Sequence, residues 1–350
     1  MIHWPRLLWR LSLASGLGVH VISTVSIVLA ATPLGQARPG LFASLPILRT
    51  ILLGMGASGA VGIALLTASG KIPRKRGALG TFAVALLLVT GTLYGCARTV
   101  EVKALAVSTQ SVAGKNVFSH EKLDGLLATY VNARGMVDYH GLKANRALLD
   151  EYVGQVASAS PRSAPELFPT EADRMAYWIN AYNALMLRAV IDHYPIQSVA
   201  DILVAHGVFS RLKFPVGGES LTLDDIEKGI LLKEFGDPRV HFALTCASMS
   251  CPKIDREAFR GQNLSERLDA EGRDFLRSPS GVQVGPGAVV RLTSYFKWYA
   301  SDFGPDPIAF VRRYLDGEKL RALDALSQPH VEHMSYDWRL NDAAAPWADR

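Results

Sequence analysis

The chain has 350 residues, with 37 Lys and Arg against 32 Asp and Glu and only three cysteines. Its basic character is confined to one end: residues 1–97 carry eight basic side chains and no acidic one, leaving 29 basic against 32 acidic residues beyond. The larger part is therefore mildly acidic, and without a Lys/Arg stripe interleaved with aromatics it lacks the phosphate-tracking surface of a nucleic-acid binder.

Three charge-free segments lie in the first 97 residues: Leu11 to Ala37, Thr50 to Gly70 and Gly77 to Ala97. Each reaches the ~20 residues a helix needs to cross the hydrocarbon core, and Gly54, Gly56, Ser58, Gly59 and Gly62 suit close packing between membrane helices. The stretch Lys71-Ile-Pro-Arg-Lys-Arg76 is the densest basic cluster there, and the positive-inside rule keeps it in the cytoplasm. Everything after residue 98 is then carried across. The expectation is an integral protein of a bacterial inner membrane, with the lipid bilayer as a partner and the C-terminal domain in the periplasm. An alternative reads Lys71 to Arg76, the apolar run from Ala78 and Leu93-Tyr-Gly-Cys96 as a lipoprotein signal, with Cys96 lipidated and the start downstream, for example at Met55.

Residues 99–117 have the small, polar character of a tether, and 118–342 are long enough for one globular domain with its own core. Ser119 to Ala133 predicts a helix with Ser119 as its cap, Leu123, Leu126, Leu127 and Tyr130 as its apolar stripe, and Gly135 past its end. A second helix is predicted near 143–157, followed by a Pro/Ser-rich loop. Thr170 and Asp173 open a long helix that runs to His193 before Pro195. Its near-total apolarity marks it as buried, yet Asn180 and Asn183 share one face and require partners. Those partners are a clamped loop or a ligand. Gly217-Gly218 predicts a hairpin, and Thr222-Leu-Asp-Asp225 caps a helix with Ile226, Ile230 and Leu231 inward and Glu227 on a neighbouring face. Further on come a helix near 264–276, a hairpin over 283–292, and a helix opened by Asp306-Pro307. Strands and helices mix without a βαβ rhythm, so the fold class is α+β, with N-terminal membrane helices ahead of a single mixed domain.

The run Val240-His-Phe-Ala-Leu-Thr-Cys246, bounded by Asp237-Pro238 and by Ser250 to Pro252, predicts a buried strand with a thiol at its end, although a buried helix segment fits the same pattern. Cys246 is the candidate nucleophile. A thiolate needs a base and an orienting group. His241, His330 and His333 are candidates for the base, and Glu227, Asn180 and Asn183 for the orienter; the assignment adopted is Cys246, His241 and Glu227. On a regular strand His241 and Cys246 would point to opposite faces, so His241 can act only if the strand bends or ends first. Asn180, Asn183, Lys297 and Trp298 are the candidate substrate-binding residues, an aromatic face beside donors that suits a small molecule, glycan or peptide of the envelope. The reaction class is cysteine-dependent hydrolysis or acyl transfer. The alternative is a non-catalytic module that binds an envelope ligand or protein, with Cys246 and Cys251 closing a structural disulfide worth ~2 kcal/mol. No second Cys pair completes a metal site, and no cofactor is expected.

Several segments together resemble the domain of unknown function 547 family: Tyr177-Trp-Ile-Asn-Ala-Tyr-Asn-Ala184, Leu221 to Ile230, Gly236 to Ser248 with Cys251-Pro252, Phe296 to Tyr299 with Asp302-Phe303, and Tyr336 to Asn341. The resemblance spans about 120–341 in order and leaves the three charge-free segments outside it. Lys228 and Lys233 stand where His and Arg are usual. The resemblance implies a domain and names no reaction.

Overall fold

The structure, a computed structural model, describes residues 100–101, 114, 116–203 and 206–348. Two compact units divide the chain, Met1–Arg98 and Thr99–Arg350. The three charge-free segments and Cys96 lie outside the described residues. Among the described residues, no helix is long and apolar enough to cross a membrane.

The second unit begins with strand β1 (Val100–Glu101), within the stretch read as a tether. Helix α1 (Glu121–Tyr130) starts where Ser119 accepts a hydrogen bond from the Glu121 N–H, and it buries the expected Leu123, Leu126 and Leu127. The helix expected near 143–157 is two: α2 (Tyr139–Ala144), capped by Asp138, and α3 (Ala147–Ser158). These surround α4 (Glu171–His193), the axis of the unit. Its capping box forms in both directions between Thr170 and Asp173, and Met175 to Ile191 are buried on every face. The one charge between Met175 and Ile191, Arg188, is neutralised by Asp150 at 3.2 Å and Asp192 at 2.7 Å, as a buried charge requires.

A short helix, α5 (Gly207–Ser210), leads into the hairpin of β2 (Leu212–Val216) and β3 (Glu219–Thr222). Gly217 and Gly218 turn it with φ of +56° and +86°, backbone values that a type I′ turn demands of both central residues. β1 adds to β2 in parallel. Thr222 and Asp225 form the expected reciprocal cap, but the helix beyond it, Asp225–Phe235, is a π-helix. Its wider turn moves Glu227 off the side face and buries it beside Ile226, Ile230 and Leu231.

The strand expected before Cys246 does not form. Pro238–Phe242 is a single 3-10 helix and Ala243 to Cys246 continue irregularly. Among the described residues no sheet offers this segment a neighbouring strand, and the Asn183 side chain fills that place. Its Nδ2 donates to the Ala243 carbonyl at 2.9 Å, and its Oδ1 accepts the Thr245 N–H at 2.8 Å. The same pattern recurs at Asn180, which donates to the Phe259 carbonyl and accepts the Phe259 N–H.

Downstream lie α6 (Leu264–Arg277), the hairpin of β4 (Val282–Val284) and β5 (Val289–Leu292), α7 (Tyr295–Trp298), α8 (Pro307–Arg312), α9 (Gly317–Asp324) and β6 (His330–His333). Asp306 caps α8 as expected, accepting from the Ala309 N–H at 3.0 Å. β6 pairs in parallel with β5. Two small sheets of mixed pairing, with helices in no alternating order, make the unit α+β.

Two apolar cores result. One is built on α4; the other gathers Phe242, Phe275, Val290, Phe296, Phe303 and Phe310. The segment from Val240 to Leu244 joins them, because Val240, Ala243 and Leu244 pack into the first while Phe242 packs into the second. The last described stretch then returns across this junction. The Met249 and Ser250 N–H groups donate to the Arg339 and Asp337 carbonyls, and the Asn341 N–H donates to the Ala247 carbonyl.

Candidate active site

Cys246 leaves the Asn183 clamp at a sharp turn. Ala247 has φ +58°, a left-handed conformation that is strained for a residue with a Cβ. Hydrogen bonds hold it there: its N–H donates to Thr245 Oγ1, and its carbonyl accepts from Asn341. The Cys246 N–H donates to the Cys251 sulfur at 2.8 Å. The two thiols are free here, and Cys251 serves as a hydrogen-bond partner of the Cys246 backbone.

Around the Cys246 sulfur stand the Tyr336 hydroxyl at 2.8 Å, the Ser248 hydroxyl at 3.1 Å and the Tyr295 hydroxyl at 3.9 Å. The Ser248 Oγ also lies 3.0 Å from the Tyr336 hydroxyl. Burial alone pushes this thiol up, but hydrogen bonds from Cys251, Ser248, Tyr336 and Tyr295 outweigh it and bring it from 9.0 down to about 7. Cys251 moves the opposite way: burial and the neighbouring Cys246 hold it protonated, well above the usual thiol range.

The sulfur faces a cavity of about 460 Å³ that Glu227, His241, Tyr182, Tyr299, Trp298 and Trp338 also line, within the size range of small-ligand sites. Three of the sequence-derived residues, Cys246, His241 and Glu227, therefore meet, and Trp298 stands with them. His241 is not hydrogen-bonded to Cys246. Its Nε2 lies 2.9 Å from the Asp302 carboxylate and its Nδ1 lies 3.7 Å from Glu227. Burial lowers the His241 pKa, against the pull of Asp302, so the neutral ring is favoured and its one proton goes to Asp302. Burial raises Glu227 from 4.5 to about 7, even though Tyr299 and Tyr182 donate to it. A carboxyl poised near neutrality and a neutral imidazole thus stand side by side. Such a pair can give and take a proton at physiological pH.

The other candidate residues do not line this cavity. Asn180 and Asn183 are nearly inaccessible and spend their amides on backbone, because a buried amide without a partner is costly; neither lines the cavity. Lys297 is exposed and does not line the cavity, one residue from Trp298. His330 is exposed on β6, and His333 lines a different hollow, with Thr293 and Ser294. Four functional groups had no assigned role in the sequence: Asp302, Tyr295, Tyr299 and Tyr336. Their signal was the dense aromatic stretch around 295–303 and the tyrosine near the C-terminus, residues that mattered only once the chain had folded back.

Among the described residues, no cluster of three His, Cys, Asp or Glu side chains could hold a metal ion. No curated protein and no solved structure matches the chain. A family model described as "Protein of unknown function, DUF547" matches residues 168–276, a narrower span than the resemblance over 120–341. That span holds α4, the two asparagine clamps, Glu227, His241, Cys246 and Cys251, and over it the chain matches the DUF547 family.

Proposed function

We propose that the chain is a membrane-tethered, outward-facing thiol enzyme that hydrolyses or transfers an acyl group of an envelope substrate. The observation that carries this reading is the Cys246 sulfur, ringed by hydroxyls and facing one cavity with Glu227 and His241. The thiolate attacks an acyl carbonyl and forms a thioester as the C–leaving-group bond breaks. Glu227, which holds its proton up to near neutral pH, supplies that proton to the leaving group. Water or an acceptor nucleophile then attacks the thioester, giving its proton back to the carboxylate, and Cys246 departs as the thiolate. Trp298 and Trp338, with ring centroids 5.8 Å apart and planes 22° from parallel, offer a flat wall for the substrate. The tether reading draws its support from the three charge-free segments and the basic cluster Lys71 to Arg76.

An activated ester tests the chemistry. p-Nitrophenyl acetate should give a burst of p-nitrophenol, with the acetyl group found on Cys246 by mass spectrometry and absent from Cys246→Ala. Equal acylation of both proteins, or acetyl found only on surface lysines, would overturn the assignment.

A further inference from the structure

We infer that Cys246 is a site of reversible oxidation by peroxide, with Cys251 as the thiol that resolves it. This inference rests on the proposed reactivity of Cys246 but assigns a second role to the pair. Nothing in acyl transfer calls for a second buried thiol. Yet Cys251 is placed with its sulfur 2.8 Å from the Cys246 N–H, and both sulfurs approach the same Tyr295 hydroxyl, at 3.9 and 3.5 Å. Four residues separate them along the chain, the turn from Ala247 to Ser250. Cys246 meets the open cavity; Cys251 does not line it. An oxidant arriving through the cavity therefore meets Cys246 first, and Cys251 stands behind it.

The chemistry balances with hydrogen peroxide as the only co-reactant. The Cys246 thiolate attacks one peroxide oxygen, the O–O bond breaks, and the departing hydroxide takes a proton to leave as water. Cys246 is now a sulfenic acid. The Cys251 sulfur, losing its proton, attacks the Cys246 sulfur and displaces the hydroxyl as a second water. One peroxide is reduced to two waters while two thiols become one disulfide. The nucleophile is silenced in that state and returns with a dithiol reductant. It is also spared the further oxidation to sulfinic acid that a sulfenic acid without a neighbouring thiol undergoes.

The test uses the full chain, hydrogen peroxide near stoichiometric dose, and a dimedone trap for sulfenic acid. Wild-type protein should lose the mass of two hydrogens, show a peptide linking Cys246 to Cys251, take up little trap, and recover its reaction with iodoacetamide after dithiothreitol. Cys251→Ser, which keeps an acceptor for the Cys246 N–H, should instead trap dimedone on Cys246 and pass to sulfinic acid under excess peroxide; Cys251→Ala checks that this does not depend on the serine, and circular dichroism checks that both are folded. If wild-type Cys246 alkylates readily yet reaches sulfinic acid as fast as Cys251→Ser does, the resolving role is overturned while the thiol-enzyme reading survives. If Cys246 reacts with neither iodoacetamide nor peroxide, both fail.

Discussion

Cys246 owes its acidity to neutral donors rather than to an imidazolium, and this has a measurable consequence. Tyr336 is the nearest donor to the sulfur, and a hydrogen bond to a charged group contributes ~1.5–3 kcal/mol. Tyr336→Phe should raise the pH midpoint of Cys246 alkylation by about one unit or more, while His241→Ala should leave it nearly unmoved; a large shift on losing His241 would show that the imidazole, not the hydroxyls, sets the thiolate. Glu227 behaves in the opposite sense. Its folded pKa of about 7 lies above the ordinary 4.5, so between those values the folded state holds a proton that the unfolded state releases, and stability falls as pH rises through the window. Glu227→Gln should therefore gain on wild type as pH increases from about 4.5 to 7 and hold a constant difference above it, read from urea midpoints at each pH. A pH-independent difference would mean that Glu227 is not protonated when folded. Asn183 acts through structure: Asn183→Ala leaves the Ala243 carbonyl and Thr245 N–H unpartnered in the core, at a cost of ~2 kcal/mol or more. Thermal melts check it, and a variant as stable as wild type would remove the clamp from the account.

Among the elements, those with local chemical signals were readable from the chain. Thr170 with Asp173, Thr222 with Asp225, Gly217-Gly218 and Asp306-Pro307 each act within a few residues, and each produced its cap or turn. What could not be read was whatever depended on distant partners. The apolar run ending at Cys246 has strand composition, yet strands need neighbours, and its backbone is met instead by the amide of Asn183 and the sulfur of Cys251. Likewise nothing local distinguishes a π-helix from an α-helix over Asp225–Phe235, and that difference decides whether Glu227 faces the side or the cavity. The cap that begins this helix is testable by itself. Thr222→Ala should cost ~1 kcal/mol and, by loosening the first turn that carries Glu227, should lower the rate of thioester turnover more than the rate of its formation at Cys246.

For the molecule as a whole, the site exists because two cores meet at one segment. His241 lies between Val240 of the first core and Phe242 of the second, and Tyr336 reaches the thiol only because the chain after β6 doubles back over residues 247–250. The sequence offered a candidate nucleophile but not this closure, since residues 90 positions apart in sequence carry no shared pattern. The proposed topology has its own check: alkaline phosphatase joined after residue 98 should be active in a bacterial host and a cytoplasm-dependent fluorescent reporter at the same point dark, with the reverse result placing the domain inside. The decisive measurement is the rate of iodoacetamide modification of Cys246 across pH, followed peptide by peptide on folded protein. Half-maximal reactivity near pH 7, with Cys251 silent throughout, is what hydroxyl and thiol donors around a cavity-facing sulfur produce. A midpoint at the ordinary thiol value of 9.0, or a Cys246 that stays unmodified until the protein unfolds, would contradict it.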